Sequence, residues 1–442
     1  MEAVRKRTVS FFSLWDRKHS KIEKKRRVPM ESKARKYLTI IALGLAGGSI
    51  YFIPYVKYVF YDAQLAAMGI NNTQSGLLLT MYTIGNMVLY IPGGYLADKV
   101  STKKALIISL VATSVLTWVY AFSLNFVVSM IIWLGLSFST AFVFWSALMK
   151  AVRIVGTEEE QGFMYGLYYA CNGIAAALTS FISLYAYNTA GEDIKSGFVR
   201  GVNASGVVVL IAAICLVFLM KEDAGRVTTE SDDDKISLPM VGKVLKSPVV
   251  WILSIVILCG YGLKSSVSYF NPYLTEVVGV SAVNSGIFSI INNYLLLLLA
   301  PVGGILADKV FKSTCKWLSV SFVILAVLFG GVLLIPSDIS PMVASIYTLL
   351  PGAVTMMMYG VVFSSVSEAG ISRTMTGTVI GISSIIGYLP DSIYSVLFGK
   401  WLDDKGAAGY TNIFVFLVAS GILGAVLAFW IYRHGKRAQH DA

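Results

Sequence analysis

The chain has 442 residues, of which 56% are hydrophobic and only 14% are charged, and its mean hydropathy is +0.70. A soluble protein of this length cannot bury so much apolar side chain, so the composition excludes a soluble globular protein and indicates one that is embedded in lipid. The net charge of +11 comes without a basic–aromatic recognition module, so we expect it to reflect membrane topology and not nucleic-acid binding.

Residues 1–36 hold thirteen Lys or Arg and few large apolar side chains. This composition is typical of a disordered basic tail that rests on an anionic membrane surface. Met1 and Met30 both fit as the start of translation, and the sequence does not choose between them.

Twelve apolar runs of about twenty residues or more follow, each long enough to cross a bilayer as a helix. They lie near 37–60, 73–97, 104–124, 126–150, 162–187, 200–220, 248–272, 283–307, 316–335, 341–366, 375–399 and 411–432. The sequence therefore predicts an all-α membrane protein with an N-terminal six-helix bundle at 37–220 and a C-terminal six-helix bundle at 248–433. A polar central loop at 221–247 joins the bundles, and 434–442 forms a second tail.

The positive charges predict the orientation. Thirty of the 36 Lys and Arg lie in the two tails and in the even-numbered connections. By the positive-inside rule, both termini and the central loop are cytoplasmic. We expect a multi-pass protein of the cytoplasmic (inner) membrane.

A repeated motif relates the two halves. The eight residues at 93–100, Gly-Gly-Tyr-Leu-Ala-Asp-Lys-Val, return at 303–310 with seven identities. The same offset of 210 carries Gly69 to Gly279 and Gly76 to Gly286. Such an internal repeat is typical of transporters that build a central solute site between two related bundles.

A second pair of glycine motifs opens spans 5 and 11. Gly162 and Gly166 recur 215 residues later as Gly377 and Gly381. Glycines four residues apart leave a flat strip on a helix, so we expect another helix to pack tightly there.

The loop after span 2 and its copy after span 8 make the chain resemble the major facilitator superfamily of secondary transporters. Gly94, Asp98 and Lys99, followed by further basic residues, match the family motif, although Ser101 stands where a second Gly is common. The resemblance implies two bundles that rock about a central cavity, with gating charges at the cytoplasmic ends. These gating residues are Asp98, Lys99, Asp308, Lys309, Arg153, Glu368 and Arg373. We expect Arg153 to pair with Asp98 in the outward-open state; independent solvated charges are the alternative.

Two charges lie deep inside the predicted spans. Lys264 is about sixteen residues into span 7 and Asp391 about seventeen into span 11, or roughly 24 and 26 Å along each helix. An unpaired charge at such depth costs about 2.5–3.5 kcal/mol on insertion scales. We expect a Lys264–Asp391 pair in which Lys264 anchors an anionic solute; the alternative is a pair that only joins two helices.

Span 7 also resembles the organophosphate and organic-anion branch of the family, on Lys264, Tyr269, Asn271 and the residues that follow to Glu276. In that branch a basic residue at the place of Lys264 binds the anion. A second basic residue is expected on span 1, where this chain has Tyr55, with Lys57 two residues further on. Phosphate-ester antiport is therefore not implied, and Lys57 is either a site residue or a boundary residue that snorkels to water.

Polar and aromatic side chains surround these charges, which is costly in lipid unless they face one another or a wet cavity. We predict that the solute site includes Tyr51, Tyr55, Lys57, Trp145, Tyr169, Asn172, Tyr261, Tyr269, Asn292 and Asn293, in addition to Lys264 and Asp391. Each aromatic residue has packing or an interfacial position as its alternative.

The sequence lacks the motifs of a metal site, a cofactor site, an ATP-driven pump or an enzyme. The three His residues lie in the tails, the four Cys residues have no paired spacing, and no phosphate-binding loop occurs. We therefore expect no metal, no cofactor and no ATP-driven engine in this chain. Without a nucleophile elbow or paired catalytic carboxylates, an enzyme is not expected.

The sequence favours a secondary active transporter that moves a small organic anion, such as a sugar acid or a carboxylate, by alternating access. We expect the lipid bilayer and a small solute as partners, an optional coupling proton on Asp391, and a monomer. Two alternatives stay open. One is a multidrug or neutral-solute (sugar) facilitator on the same fold, and the other is a non-transporting membrane receptor with a signalling tail.

Overall fold

The computed structural model describes residues 33–155, 161–221, 244–336, 339–369, 371 and 376–440. Within these ranges the chain is helical and forms no strand. We number the long helices as α1 Lys33–Ile50, α2 Asn72–Lys99, α3 Thr102–Ser123, α4 Phe126–Val155, α5 Gln161–Asn188, α6 Ile194–Leu219, α7 Pro248–Glu276, α8 Ala282–Phe311, α9 Thr314–Val332, α10 Pro341–Tyr359, α11 Thr376–Gly387 with Pro390–Lys405, and α12 Gly409–His440. A short helix, Tyr61–Met68, lies between α1 and α2.

The length and apolar composition of these helices are typical of helices that span a membrane. By length and composition, nine stretches of described helix are long and apolar enough to cross a bilayer, and the last of them, Val379–Lys436, covers both α11 and α12. α1 and α2 fall outside this set; α1 gives way after Ile50 to a turn and a short 3-10 segment. The predicted all-α membrane fold is confirmed.

The ends of the predicted domains differ slightly from the helices. α1 begins at Lys33 and not at 37, and the remainder of the first tail lies outside the described residues, as does most of the central loop. α12 continues to His440, so the predicted tail at 434–442 is helical over most of its length. The basic groups of Arg433 and Lys436 lie over the rings of Phe429 and Tyr432, one turn back, which supports this extension.

The start of α1 and the end of α12 lie at the same end of the molecule, which we call the termini end; the opposite end is the far end. In the N-terminal bundle, the Arg35 guanidinium donates to the Leu219 carbonyl at 3.1 Å, joining the start of α1 to the end of α6. In the C-terminal bundle, Gly435 of α12 packs against the backbone of Glu368, beyond α10. These contacts place the end of α6 and the segment after α10 at the termini end.

The internal repeat appears in the backbone geometry. Gly69 and Gly279, each between a helix end and the next helix, have φ of +65° and +79°, a region that glycine adopts without strain. A Cβ at Gly93 of α2 would collide with the Phe142 carbonyl of α4, and one at Gly303 of α8 would collide with the Met357 carbonyl of α10. The repeated glycines therefore let equivalent helices cross backbone to backbone in each half.

The two bundles meet at the far end. α2 of the N-terminal bundle runs against the second piece of α11, and a Cβ at Gly76 would collide with the backbone of Ser395. The Thr80 hydroxyl donates to the Ser392 carbonyl at 2.9 Å in the same contact. The far end is therefore closed in this conformation.

The termini end is different. Gly166 of α5 and Gly381 of α11 were expected to pack tightly, but no described side chain or backbone of another segment would lie within 4 Å of a Cβ at either position. The expectation is wrong for this conformation, because both glycine faces border open space. The surroundings of the other two glycines of these motifs, Gly162 and Gly377, lie outside what the structure describes.

Candidate solute-binding site

A cavity of about 200 Å³ lies between the two bundles. Its walls come from α1 and α5 on one side and from α7, α8 and α10 on the other. The lining residues are Gly47, Gly48, Tyr51, Phe52, Tyr55, Tyr58, Asn172, Gly173, Ala176, Lys264, Asn293, Tyr294, Leu297, Met356 and Tyr359. This wall is largely aromatic and carries one cationic side chain, a composition suited to a small solute.

Lys264 supplies that positive charge at a break in α7. The first piece of α7, Pro248–Ser266, ends within one turn of Lys264, and a 3-10 turn follows. A cation near a helix C-terminus interacts favourably with the carbonyl dipoles there. The ammonium lies 5.6 Å from the ring centroid of Tyr261 and 5.8 Å from that of Tyr359, within cation–π range. It makes no hydrogen bond to any residue that the structure describes.

Asp391 lies at a break in α11. Tyr388 and Leu389 interrupt the helix, Pro390 opens the second piece, and Asp391 falls in its first turn, where backbone N–H groups favour a negative charge. The carboxylate accepts hydrogen bonds from the hydroxyls of Tyr261 at 2.6 Å and Tyr55 at 3.0 Å. Only 3% of the residue is exposed.

The predicted direct pair between Lys264 and Asp391 is not formed among the described residues. Tyr261 stands between them, with its ring beside the ammonium and its hydroxyl on the carboxylate. The break in α11 and the two phenols stabilise the carboxylate without an ion pair, so the lysine remains available in the cavity.

Lys57 is buried, with 4% of its surface exposed, so the snorkelling alternative is wrong. Its ammonium lies 3.4 Å from both the Tyr269 hydroxyl and the Ser395 hydroxyl, and 5.2 Å from the ring centroid of Tyr269. Ser395 is one turn beyond Asp391 on α11. Lys57 and Tyr269 therefore lie on the far-end side of the carboxylate and do not line the cavity.

Of the other predicted site residues, Tyr51, Tyr55, Asn172 and Asn293 line the cavity. The remaining three, which lie elsewhere, are Trp145, Tyr169 and Asn292. Trp145 packs against the apolar core between α1, α4 and α5, and Tyr169 is 48% exposed. Asn292 donates to the Thr348 hydroxyl at 3.3 Å and packs against α10.

Sequence reasoning missed ten of the fifteen lining residues. Tyr58 and Tyr294 are close in sequence to the predicted Tyr55 and Asn293, so proximity to a predicted residue was the available signal. Tyr359 could not be identified from the sequence, because it is the last residue of α10 and has no charged residue near it in the chain. Gly47 and Gly48 allow α5 to pack closely against α1, because a Cβ at either position would collide with α5.

Most of the predicted gating charges lie at the termini end. The side chain of Asp98 and all of Arg373 lie outside the described residues, so the Asp98–Arg153 pair stays a prediction. Those described as exposed are Lys99, Arg153, Asp308 and Lys309.

Glu368 has a defined local role. Its carboxylate accepts from the Ser313 hydroxyl at 2.6 Å, the Cys315 N–H at 3.1 Å and the Thr314 N–H. These groups form the start of α9, so Glu368 caps that helix from the segment after α10. The contact stays within the C-terminal bundle.

The arrangement suits binding and not covalent chemistry. A search of the described residues finds no cluster of three or more His, Cys, Asp or Glu that could hold a metal ion. The cavity instead presents an ammonium, phenol rings and two amides to a solute.

The family model of the Major Facilitator Superfamily matches residues 37–395. Inner membrane protein YihN of Escherichia coli (strain K12) is 26% identical over 404 residues, which cover 90% of this chain and 96% of that protein. Membrane sensor protein UhpC of the same organism is 20% identical over 82% of this chain and 85% of its own length. The probable sulfoacetate transporter SauU of Cupriavidus necator is 23% identical over 60% of this chain and 64% of its own length.

Solved structures share the fold. A bacterial homolog of the human lysosomal transporter Spinster, in an inward-facing and unoccupied conformation, has a TM-score of 0.71 and 15% identity, with 93% of this chain and 99% of that chain covered. A D-xylose–proton symporter has a TM-score of 0.66 and 14% identity over 91% of this chain and 98% of its own.

Proposed function

Because the chain belongs to the Major Facilitator Superfamily and is a membrane transporter of that family, we propose that its solute is a small organic anion and that Lys264 binds the anionic group. The observation that carries this proposal is the Lys264 ammonium, which lines the central cavity and has no hydrogen-bond acceptor among the described residues. An ammonium held in a largely aromatic cavity is stabilised by an anionic partner.

One relative supports this solute class. SauU is named a probable sulfoacetate transporter, and sulfoacetate is a small organic anion. The size of the cavity, about 200 Å³, also favours a small solute over a large drug-like molecule.

We place the termini end in the cytoplasm, in the cytoplasmic (inner) membrane, and expect a monomer. The excess of Lys and Arg at that end supports this orientation, and YihN is named an inner membrane protein. With this orientation the closed far end faces outward, so the conformation is inward-facing. The far end must open, and the termini end must close, for the solute to cross.

Coupling to a proton is part of the proposal. Asp391 bridges the bundles through Tyr55, in the turn after α1, and Tyr261 of α7, and a proton on Asp391 would weaken hydrogen bonds to both. A proton symporter exists on this fold, since one structural neighbour is a D-xylose–proton symporter.

Thermal unfolding of the detergent-purified protein tests the solute class. The panel contains neutral sugars, sugar acids, carboxylates and phosphate esters, each for wild type, Lys264→Met and Lys400→Met. Lys400 is exposed and lies outside the cavity, so it controls for loss of a positive charge. A bound anion at a hundredfold its Kd adds about 2.7 kcal/mol to the free energy of unfolding, which raises Tm.

We expect an anion to raise Tm in wild type and Lys400→Met, with its affinity reduced about tenfold or more in Lys264→Met. Stabilisation only by neutral or cationic compounds, equal in all three proteins, would contradict the proposal.

The similarity to UhpC favours a second candidate, a membrane sensor with the same solute site. Deleting residues 1–29 separates the two functions. A transporter retains its flux in proteoliposomes after the deletion, whereas a sensor that signals through this tail loses its output in cells.

A further inference from the structure

Two polar atoms beside the cavity have no hydrogen-bond partner. They are the side-chain carbonyl oxygen of Asn293 and the hydroxyl of Tyr58; neither has a partner among the residues that the structure describes, and both are shielded from bulk water. Asn293 is 6% exposed and Tyr58 is 4% exposed, and both residues line the same cavity as Lys264. Buried polar atoms are seldom left without a partner, because their desolvation is then not compensated by a hydrogen bond.

The orientation of the Asn293 amide is fixed by its neighbours. Its nitrogen donates to the Ser289 carbonyl at 3.0 Å and lies 3.2 Å from the Ser289 hydroxyl. A backbone carbonyl only accepts, so the amide nitrogen must face Ser289. The Asn293 oxygen is therefore the atom that remains available as an acceptor.

Ser289 also brings Tyr58 next to Asn293. The Ser289 hydroxyl donates to the Tyr58 carbonyl, across the interface between the N-terminal and C-terminal bundles. Two residues from different bundles thus meet at one serine, and each presents an unpartnered polar atom at the cavity wall.

A hydroxyl group on the solute offers what each atom requires, since it can donate to the Asn293 oxygen and can accept from the Tyr58 phenol. A carboxylate or sulfonate oxygen cannot donate, so it cannot satisfy the asparagine. An aliphatic carbon satisfies neither atom.

We propose that the solute is a hydroxylated organic anion, in which Lys264 binds the anionic group and Tyr58 and Asn293 bind a hydroxyl. This inference rests on the proposed function and narrows its solute class. The site is expected to bind carboxylates of equal chain length more weakly when they carry no hydroxyl. A site that hydrogen-bonds a solute hydroxyl rejects analogues without it, since its own polar groups are then left unpaired.

Binding of matched anion pairs tests this. Isothermal titration of the full-length, detergent-purified chain compares D-gluconate with hexanoate and D-glycerate with propionate. Within each pair the two carboxylates have the same chain length and differ in their hydroxyls. The variants are Asn293→Leu and Tyr58→Phe, which remove one unpartnered atom each. Tyr347→Phe is the control, because Tyr347 lies outside the cavity lining and its hydroxyl donates to the Leu328 carbonyl at 2.7 Å.

We expect wild type to prefer the hydroxylated member of at least one pair by about tenfold or more. The preference falls to about threefold or less in Asn293→Leu and in Tyr58→Phe, and it persists in Tyr347→Phe. Tyr58→Phe deletes one oxygen, so it keeps the test valid if Asn293→Leu does not fold.

The outcomes separate the two proposals. Equal binding of both members in wild type, with both weakened by Lys264→Met, overturns the hydroxyl assignment and leaves the anion site in place. A preference unchanged in both test variants overturns the assignment of Tyr58 and Asn293. Absence of binding by every anion overturns the proposed function itself.

Discussion

At the scale of single residues, Tyr261 joins the two charges of the site. Its ring lies beside the Lys264 ammonium, and its hydroxyl donates to Asp391, which also accepts from Tyr55 of the other bundle. Occupancy of the cavity and contact between the bundles therefore act on one carboxylate. The side chain of Tyr261 therefore connects Lys264 to the hydrogen bond between Tyr55 and Asp391.

Substitution of Asp391 tests whether this carboxylate carries the coupling proton. Asp391→Asn keeps an acceptor for Tyr55 and Tyr261 but cannot exchange a proton. We expect uptake driven by a pH gradient into proteoliposomes to fall about tenfold or more, while exchange of labelled for unlabelled solute continues. Ser392→Ala, next to it on α11, is the control. Gradient-driven accumulation that survives in Asp391→Asn would show that the proton, if any, is carried elsewhere.

At the scale of helices, a carboxylate near the C-terminal end of α11 accepts hydrogen bonds from the first turn of α2. Asp403 accepts from the backbone N–H groups of Asn72 and Thr73 at 2.9 and 2.8 Å, and from both of their side chains. A negative charge at the first turn of a 28-residue helix is favoured by the helix dipole. These bonds cross between the bundles and must break when the far end opens.

Asp403→Asn is expected to favour opening of the far end. It removes the charge and replaces one acceptor with a donor, which raises the ratio of far-end-open to far-end-closed protein by about tenfold at most. Asp404→Asn is the matched control, because the neighbouring carboxylate is exposed and accepts no hydrogen bond from a described residue. Spin labels at Glu192 and Asn284, exposed at the far end of each bundle, report the distance by double electron–electron resonance in a cysteine-free background.

Gly76→Ala provides a positive control for this measurement, because its Cβ would collide with the backbone of Ser395 when the far end is closed. If the distance lengthens in Gly76→Ala but is identical in wild type and Asp403→Asn, Asp403 does not hold the far end shut.

At the scale of the whole molecule, the open glycine faces at the termini end belong to the other half of the transport cycle. Gly166 and Gly381 border open space here, and closure of that end requires α5 and α11 to approach other helices. Small residues at such positions permit close helix contact. The glycine pattern is therefore interpreted as a packing surface of the alternate conformation.

Gly166→Leu is expected to leave solute binding and Tm close to wild type, since the present conformation has room for the side chain. Transport should fall about tenfold or more, because the leucine obstructs closure of the termini end. Binding by titration and counterflow in proteoliposomes measure the two effects separately. Wild-type counterflow in Gly166→Leu would show that this face stays open throughout the cycle.

The two charged residues at the centre of the candidate site could be predicted from sequence, for a physical reason. A charge in an apolar span is costly wherever it lies, so Lys264 and Asp391 stood out without knowledge of their neighbours. Lys57 did not, because a lysine three residues from the end of the predicted span is equally compatible with snorkelling and with burial. Its contacts with Tyr269 and Ser395, more than two hundred residues away, decide between them.

The sequence by itself determined the all-α membrane fold, the internal repeat and the two charged residues at depth. Lipid imposes a minimum apolar length on each helix and penalises charge at each position, and both constraints act locally along the chain. The tertiary structure alone decided that Tyr261 separates Lys264 from Asp391, that Tyr58 and Asn293 meet at Ser289, and which end is closed. These features depend on how one bundle is placed against the other, and that placement changes during transport while the sequence stays the same.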